Sequence, residues 1–445
     1  MSMTALFLAV AMTPAGGWNV KVEADGQSGM FAIDPPTRME VKAERHNRLP
    51  PPSNTPVWGK ECRFRAVIAQ GCMVGWAVDM GSVAIRAMPD GPLLERGRDY
   101  EVNPQWGGIH RLDTAVIGTN TPISIDYAYR RRRIDSVVRD TNGRLVLRKG
   151  ESATVTPKPP ALAAGETRIG NVFVDAQTTA IEPRNLFPVL EPPPKPVRSE
   201  NPQAAKLLPR TWAKLNAGET VTVLAWGDSV TACGFLPNSE KWQEQFVRRL
   251  RKRFPKADIR LVSNGWGGKC SNSFLAVPPD SPYHFATKVA GVKADLVVSE
   301  FVNDCGYGER IVQEDYPKFL KAFREAGAEW IIMTPHYVRP DWMGLKDCQN
   351  TDDDPRPFVK AVRAFASQNG VALADAARRW GHLWREGIPF STMYVNDINH
   401  PVAFGMTIFA DALMEVFGGD RGKGKGGGGR VFGSLKLSLS NNGRL

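Results

Sequence analysis

The chain has 445 residues, of which 42% are hydrophobic and 23% are charged. These values are typical of a soluble globular protein and exclude a collagen-like or wholly disordered chain. The length is about three times that of an average domain and predicts two domains. The formal net charge of +11 favours acidic partners, such as uronic-acid polymers, anionic cell walls or nucleic acid, without choosing among them. No apolar run reaches the ~18 residues of a membrane-spanning helix, so we predict no membrane span.

The first residues have the composition of an export signal. The apolar stretch from Ala5 to Met12 is followed by Thr13-Pro14-Ala15, which is similar to the apolar core and cleavage region of a secretory signal. We assign residues 1–17 to this signal-like segment and expect a secreted or periplasmic protein. A buried N-terminal strand or a wrongly assigned start is the alternative, and the protein is then expected in the cytoplasm.

Residues 18–190 have the pattern of an all-β region. Short segments rich in β-branched and aromatic residues are separated by turn signals such as Asn142-Gly143. The predicted strands are Val20–Val22, Met39–Val41, Phe64–Ile68, Val83–Met88, Ile123–Tyr129 and Leu145–Leu147. Strands at this spacing predict a sandwich-like accessory domain.

The basic run from Arg130 to Arg133 has two interpretations. It can be a nucleic-acid patch, or it can be the solvated end of a strand whose charges discourage pairing with other strands. We favour the solvated edge and predict no specific nucleic-acid partner.

A proline-rich segment divides the chain. Consecutive prolines cannot join a helix interior or a central strand, so residues 191–202 are predicted to be a linker. Beyond it, strand-like and helix-like segments alternate, which predicts a parallel sheet flanked by helices over residues 203–418. The predicted strands are 220–225, 259–263, 296–301 and 330–333, and the predicted helices are 241–254, 315–326, 357–368 and 403–417. Residues 419–445 form a Gly/Lys-rich tail that is predicted to be disordered.

Six cysteines in a chain of this length do not make a disulfide scaffold. None lies in a CxxC or Cys/His cluster with zinc spacing, so we predict no metal site. Cys62 with Cys72 and Cys270 with Cys305 are candidate pairs, with free thiols as the alternative.

Ligands of an open parallel sheet collect at the carboxyl ends of its strands. Ser229 directly follows the first predicted strand, in Gly227-Asp228-Ser229, where a tight turn would expose its hydroxyl. Taken alone, this triplet is also an ordinary turn or helix-cap sequence. The second strand is followed by a glycine-rich segment containing Gly268, whose backbone N–H groups are candidates for an oxyanion hole.

Two further polar stretches follow later strands. Asn303-Asp304 places an amide and a carboxylate at the same edge of the sheet, either to donate to an oxyanion or to close the strand with a turn. Asp397 precedes His400 by three residues on a short loop, from which its carboxylate can reach the imidazole Nδ1. The alternative for this second pair is a capped loop.

These four stretches, in this order, resemble the SGNH or GDSL hydrolase superfamily over about residues 221–417. The matching residues are Gly227-Asp228-Ser229, Gly268, Asn303-Asp304, and Asp397 with His400. Val230 stands where the family often has leucine. Phe301 stands where it usually has glycine, a change expected to alter the acyl pocket.

The resemblance implies a flavodoxin-like α/β fold and a serine esterase without metal or organic cofactor. It makes Ser229 the nucleophile, His400 the general base and Asp397 the partner that orients the imidazole. The N–H groups of Ser229 and Gly268 and the side chain of Asn303 would form the oxyanion hole.

The substrate is predicted from the residues around these motifs. Aromatic and polar side chains after the strands are candidates for stacking on sugar rings: Trp226, Trp266, His336, Tyr337 and Arg339. We therefore predict hydrolysis of short acyl esters, chiefly acetyl esters, on a carbohydrate or polysaccharide. The alternatives are a lipase or acyl-thioesterase of the same superfamily and a non-catalytic carbohydrate-binding surface protein with a decayed site.

Overall fold

A computed structural model describes residues 10–420 except 53, 55–61, 89 and 196–197. Most of the signal-like segment, part of the linker and nearly all of the Gly/Lys-rich tail therefore lie outside the described residues. Within the described ranges, no helix combines the length and the apolar character needed to cross a membrane. All six cysteines are described, and each is a free thiol.

The N-terminal region consists of antiparallel β-sheets, which confirms the all-β prediction. Its strands are β1 (Ala11–Pro14), β2 (Asn19–Ala24), β3 (Gln27–Ala32), β4 (Arg38–His46), β5 (Cys62–Arg63), β6 (Val78–Ala87), β7 (Tyr100–Val102), β8 (Gly108–Arg111), β9 (Ile123–Arg130), β10 (Arg133–Arg139), β11 (Leu145–Arg148), β12 (Thr167–Val174) and β13 (Leu186–Pro188). Among the described residues they form sheets with the orders β1-β2-β3, β4-β9-β6, β5-β8-β7 and β11-β10-β12-β13. Strand β1 lies within the signal-like segment and pairs with β2.

Two hydrophobic cores hold these sheets together. Val20 and Val22 of β2 pack with Val137 and Val172 of the β10–β13 sheet, which gives a sandwich of two sheets. The other core joins the β4-β9-β6 and β5-β8-β7 sheets. In β2, the buried residues alternate with Lys21 and Glu23, as expected for a strand with one buried face.

One predicted strand of this region is wrong. Residues 64–68 contain a 3-10 helix, Arg65–Val67. Phe64 and Val67 are both fully buried, and their spacing of three places them on the same side of a 3-10 turn but on opposite faces of a strand.

The C-terminal region contains, within the described residues, a five-strand parallel sheet with the order β15-β14-β16-β17-β18. Its strands are β14 (Thr220–Gly227), β15 (Asp258–Gly265), β16 (Leu296–Glu300), β17 (Glu329–Met333) and β18 (Ala372–Ala374). The helices are α1 (Gln203–Leu207), α2 (Pro209–Ala217), α3 (Ser229–Ala232), α4 (Trp242–Arg253), α5 (Phe285–Lys288), α6 (Arg310–Glu314), α7 (Tyr316–Glu325), α8 (Pro357–Asn369), α9 (Ala376–Gly381) and α10 (Ala403–Val416). This strand order is that of flavodoxin-like sheets and confirms the predicted fold class.

The sheet register places the chemistry-bearing segments side by side. Gly227 at the end of β14 pairs with Gly265 of β15 on one side and with Glu300 of β16 on the other. The segments that follow these three strands therefore leave the sheet at one edge, where ligands of such sheets bind.

The N-terminal region packs directly against the parallel-sheet region. Asn171 of β12 donates from Nδ2 to the Gly387 carbonyl at 2.6 Å, and the Leu190 N–H donates to the Arg385 carbonyl at 2.6 Å. Ile398, in the loop before α10, is fully buried in the core of the β4-β9-β6 and β5-β8-β7 sheets. The N-terminal region and the parallel-sheet region are therefore joined by contacts between residues that lie before and after the proline-rich segment in the sequence.

Candidate active site

The β14–α3 turn presents the serine. Ser229 is the first residue of α3, and Asp228 caps that helix by accepting the Val230 N–H at 3.0 Å. The other carboxylate oxygen of Asp228 accepts the Asn303 N–H at 3.0 Å, which ties the turn to the segment after β16. Complete burial raises the pKa of Asp228 to about 7. Asp228 therefore ties the serine turn to the segment after β16.

Two glycines allow the serine turn to lie close to the sheet. A Cβ atom at Gly227 would overlap Thr231 Oγ1 and the Glu300 carbonyl, and one at Gly265 would overlap the Ala232 nitrogen. Glycine is the residue that permits such close backbone approach. The first turn of α3 is consequently held directly against the ends of β15 and β16.

His400 contacts the hydroxyl group of Ser229. Its Nε2 lies 3.0 Å from Ser229 Oγ, within the range required of a nucleophile and its general base. The imidazole stacks on Phe235 with ring centroids 4.4 Å apart and planes inclined by 4°. Burial lowers the pKa of His400 to about 4, so at neutral pH the ring is uncharged and can accept a proton.

The other imidazole nitrogen of His400 faces a glutamine instead of the predicted aspartate. Gln70 Oε1 lies 2.5 Å from His400 Nδ1. Asp397 binds the Arg132 guanidinium with both carboxylate oxygens and accepts the Gly75 N–H at 3.1 Å. This corrects the placement expected for Asp397, because two parallel charge-assisted hydrogen bonds from an arginine compete better for a carboxylate than a neutral imidazole does.

The predicted oxyanion-hole residues lie on segments next to Ser229. A Cβ at Gly267 would be 3.8 Å from Ser229 Cβ, so the loop after β15 passes over the nucleophile. Gly268 in this loop has a φ of +72°, which favours glycine. Asn303 Nδ2 donates to the Lys269 carbonyl of the same loop at 3.1 Å. The role of these donors in catalysis remains a prediction.

Three of the predicted sugar-binding side chains are buried, and that interpretation of them is wrong. Trp226 is 1% exposed and packs against Phe301 with ring centroids 4.8 Å apart. His336 is fully buried, with Nε2 2.6 Å from the Asn399 carbonyl oxygen. Tyr337 is fully buried and donates its hydroxyl to the Thr351 carbonyl at 2.8 Å. Side chains packed in this way have no face free to stack on a sugar.

Trp266 and Arg339 are half-buried, and their predicted role in binding substrate remains a prediction. Trp266 stacks on Tyr283 at a centroid distance of 4.3 Å, and the Lys269 ammonium lies 5.3 Å from the Trp266 ring centroid. The Arg339 guanidinium lies 4.7 Å from the Trp106 ring centroid, so an aromatic ring of the N-terminal region already occupies one of its faces.

The sequence reasoning missed the site residues contributed by the N-terminal region. Arg132 belongs to the basic run that we interpreted as a solvated edge, but Arg132 and Arg133 are both buried and paired with carboxylates. The sequence did contain one indication of buried ion pairs, because this basic run interrupts a strand pattern that is otherwise apolar. Gln70 lies in no recognisable motif, and its 330-residue separation from His400 gave no signal.

The residues that the structure describes contain no group of three His, Cys, Asp or Glu side chains able to hold a metal ion.

Comparison with known proteins identifies one family. Residues 225–408 match the family model of the GDSL-like lipase/acylhydrolase family. No curated protein sequence matches the chain.

Solved structures with similarity to the chain include several esterases and hydrolases. A two-domain esterase active on acetylated mannans has 16% identity and a TM-score of 0.38, over 47% of this chain and 52% of that one, so the match spans about half the length of that esterase. An α/β hydrolase from the metagenome of Lake Arreo, Spain, has 20% identity and a TM-score of 0.37, over 44% of this chain and 95% of that one. A mutant of an acetyl-xylooligosaccharide esterase from Geobacillus has 19% identity and a TM-score of 0.34, over 46% of this chain and 97% of that one.

Proposed function

We propose that the protein is a serine esterase that removes short acyl groups, chiefly acetyl, from a carbohydrate or polysaccharide, on the premise that residues 225–408 match the family model of the GDSL-like lipase/acylhydrolase family. The observation that carries the proposal is the 3.0 Å contact between His400 Nε2 and Ser229 Oγ. Family membership supports ester hydrolysis, and the pocket residues support the choice of acyl group.

The reaction uses the serine and the histidine in two steps. Ser229 Oγ attacks the ester carbonyl while His400 Nε2 takes the hydroxyl proton, and the resulting imidazolium then gives that proton to the departing sugar oxygen, which leaves as a hydroxyl. A water molecule next attacks the acyl-enzyme, His400 takes its proton, and the proton returns to Ser229 Oγ as the carboxylic acid leaves. The N–H groups of Ser229 and Gly268 and the amide of Asn303 are the proposed donors to the negative oxygen of both tetrahedral intermediates.

Packing of aromatic rings near the strand ends supports a short acyl group. Phe301, at the position where the family usually has glycine, is 2% exposed and packs on Trp226 and Phe274, at 4.8 and 5.9 Å between ring centroids. These rings fill space instead of lining a channel. A long acyl chain needs an apolar channel, because each CH₂ contributes about 0.8 kcal/mol only when the protein removes it from water.

A carbohydrate leaving group is supported by the one aromatic candidate that keeps accessible surface beside the nucleophile. Trp266 begins the loop that passes over Ser229, and its ring is half-buried. The accessible surface of Trp266, whose ring already stacks on Tyr283 and lies 5.3 Å from the Lys269 ammonium, suits a polar sugar ring better than a lipid tail.

The proposal is tested with a series of aryl esters from acetyl to decanoyl and a panel of acetylated polysaccharides. We expect kcat/KM to be highest for acetyl or propionyl and to fall steeply beyond them, with acetate released from at least one polysaccharide. Ser229→Ala should abolish both activities, whereas Ser28→Ala, an exposed serine of β3, should leave them unchanged.

Two results would replace this proposal with one of the alternatives. A kcat/KM that rises toward octanoyl or longer esters, with no acetate released from any polysaccharide, would indicate a lipase or acyl-thioesterase. Glycan binding without turnover, and without labelling of Ser229 by a fluorophosphonate, would indicate a binding protein with a decayed site.

A further inference from the structure

A segment of the N-terminal region lies along the loop that carries His400. The Gln70 N–H donates to the Val395 carbonyl at 3.1 Å, the Cys72 thiol donates to the Asn396 carbonyl at 2.9 Å, and the Gly75 N–H donates to Asp397 Oδ2 at 3.1 Å. The three bonds follow the same order along both segments. The backbone of Gln70 is therefore fixed relative to the His400 loop by contacts that do not involve its own side chain.

The His400 loop is itself held rigidly. Asn396 Oδ1 accepts the N–H groups of Ile398, Asn399 and His400 at 3.0, 2.9 and 2.9 Å. The Val395 N–H donates to the His400 carbonyl at 2.8 Å. Both partners of the Gln70–His400 contact thus start from fixed backbones, which is the condition for a side-chain hydrogen bond to orient a ring.

The contact between Gln70 and His400 selects one tautomer. A neutral imidazole that is to accept the Ser229 proton at Nε2 must carry its own proton on Nδ1. Gln70 Oε1, which faces Nδ1 at 2.5 Å, can accept that proton's hydrogen bond. The carboxylate that the sequence predicted for this role is bound instead by Arg132.

We propose that Gln70 is a positioning residue for His400, which holds the imidazole in the Nδ1–H tautomer facing Ser229, so that the N-terminal β region completes the catalytic machinery. The expected effect of Gln70 on turnover rests on the proposed esterase function. The expected effect of Gln70 on the His400 tautomer rests on the hydrogen-bond geometry alone. The two can therefore be tested separately.

A neutral amide has a different effect on the imidazole from a carboxylate. Glutamine orients the ring without stabilising the imidazolium by charge. His336, which is buried and bound to the Asn399 carbonyl, interacts electrostatically with His400, and the Asp397–Arg132 ion pair involves the same loop. Placing a carboxylate at residue 70 adds a negative charge next to Nδ1 and raises the pKa of His400.

The kinetic experiment compares Gln70→Ala and Gln70→Glu with the unmodified chain on an aryl acetate. We expect Gln70→Ala to lower kcat by about 10- to 100-fold with little change in KM, because the ring loses its orientation while the substrate contacts remain. Gln70→Glu should retain substantial kcat at alkaline pH and move the acidic limb of kcat/KM upward by at least one pH unit. Gln27→Ala, an exposed glutamine of the β2–β3 hairpin, is the matched control and should behave as the unmodified chain.

A second readout does not depend on turnover. With ¹⁵N-labelled histidine, the imidazole signals of His400, assigned by their loss in His400→Ala, should show the Nδ1–H tautomer in the unmodified chain. In Gln70→Ala the Nε2–H tautomer should become populated, and in Gln70→Glu the His400 titration should move to higher pH. Because Gln70 is exposed and its backbone bond to Val395 is unaffected, both variants should remain folded.

The outcomes separate the two proposals. If Ser229→Ala abolishes activity but Gln70→Ala retains full kcat and the unmodified tautomer, the positioning role is overturned and the esterase stands. If the unmodified chain hydrolyses no ester while its His400 tautomer still depends on Gln70, the esterase is overturned and the structural role of Gln70 stands. An unchanged tautomer in Gln70→Ala overturns the inference whatever the activity.

Discussion

At the scale of single residues, burial keeps His400, the proposed general base, uncharged. Its pKa is lowered to about 4 because desolvation disfavours the imidazolium. Gln70 contributes no opposing charge at Nδ1. The ring is consequently able to accept the Ser229 proton over a wider acidic range than an exposed histidine, whose pKa is about 6.5.

This state of His400 predicts the pH profile of the enzyme. The general base works only when neutral, so activity is present above its pKa and is lost as the pH falls through that value. We expect kcat/KM for an aryl acetate to remain level down to about pH 5 and to fall by half near pH 4. Steady-state rates between pH 3 and 9 measure this limb, and a limb at pH 6.5 or above would show that burial does not hold the pKa of His400 below its ordinary value.

Ser229 and His400 could be assigned from the sequence because each lies in a short local motif. Ser229 begins α3 directly after β14, His400 lies on the loop before α10, and the structure brings them to 3.0 Å. Asp397 was assigned from its spacing to His400, but spacing along a loop does not determine the direction of a carboxylate when a buried arginine competes for it. That arginine lies 265 residues earlier, so the competition was not visible in the local pattern.

At the scale of elements, the loop from Val395 to His400 is anchored by the residue that precedes β10. Arg132 binds Asp397 of the loop and also Asp175, at 2.8 Å from its Nε. The side chains of Arg132 and Asp397 are only 8% and 7% exposed. Asp397 has a φ of +61°, an unusual backbone conformation for a residue with a side chain, which this ion pair helps to hold.

Arg132→Met should therefore be strongly destabilising. Removing one member of a buried ion pair leaves the other charge without compensation and typically costs about 3–5 kcal/mol of unfolding free energy. We expect a lower urea midpoint together with reduced kcat, since the His400 loop loses its anchor. Arg38→Met removes an exposed arginine that pairs with Glu40 and should change neither quantity appreciably. Equal effects of the two substitutions would contradict the anchoring role of Arg132.

Long, periodic elements were predictable, and short ones were not. The helices at Trp242–Arg253, Tyr316–Glu325, Pro357–Asn369 and Ala403–Val416 match their predicted positions to within about two residues, the usual uncertainty of helix ends. Strand β18, Ala372–Ala374, has only three residues, all of them apolar, so its sequence shows no alternation of polar and apolar residues. Residues 64–68 were mistaken for a strand because three-residue and two-residue periods cannot be told apart over so short a stretch.

At the scale of the whole molecule, the proline-rich segment divides the sequence but not the active site. Consecutive prolines such as those in residues 191–202 typically separate independent domains. The structure instead buries Ile398 in an N-terminal core and brings Gln70 and Arg132 to the residues around His400. The catalytic region alone would expose this apolar side chain and leave Asp397 without its arginine.

The measurement that tests this account most directly is the kcat/KM of residues 203–420 alone, compared with the full chain, on a soluble aryl acetate. We predict that the isolated fragment falls to the level of the full-length Ser229→Ala variant, and that adding separately produced residues 10–190 restores part of the activity. Cleavage of the full chain within residues 191–202 should leave activity intact, because the two regions remain associated through their buried contacts. A fragment that retains the full chain's kcat/KM without its N-terminal partner would contradict the claim that both regions build the active site.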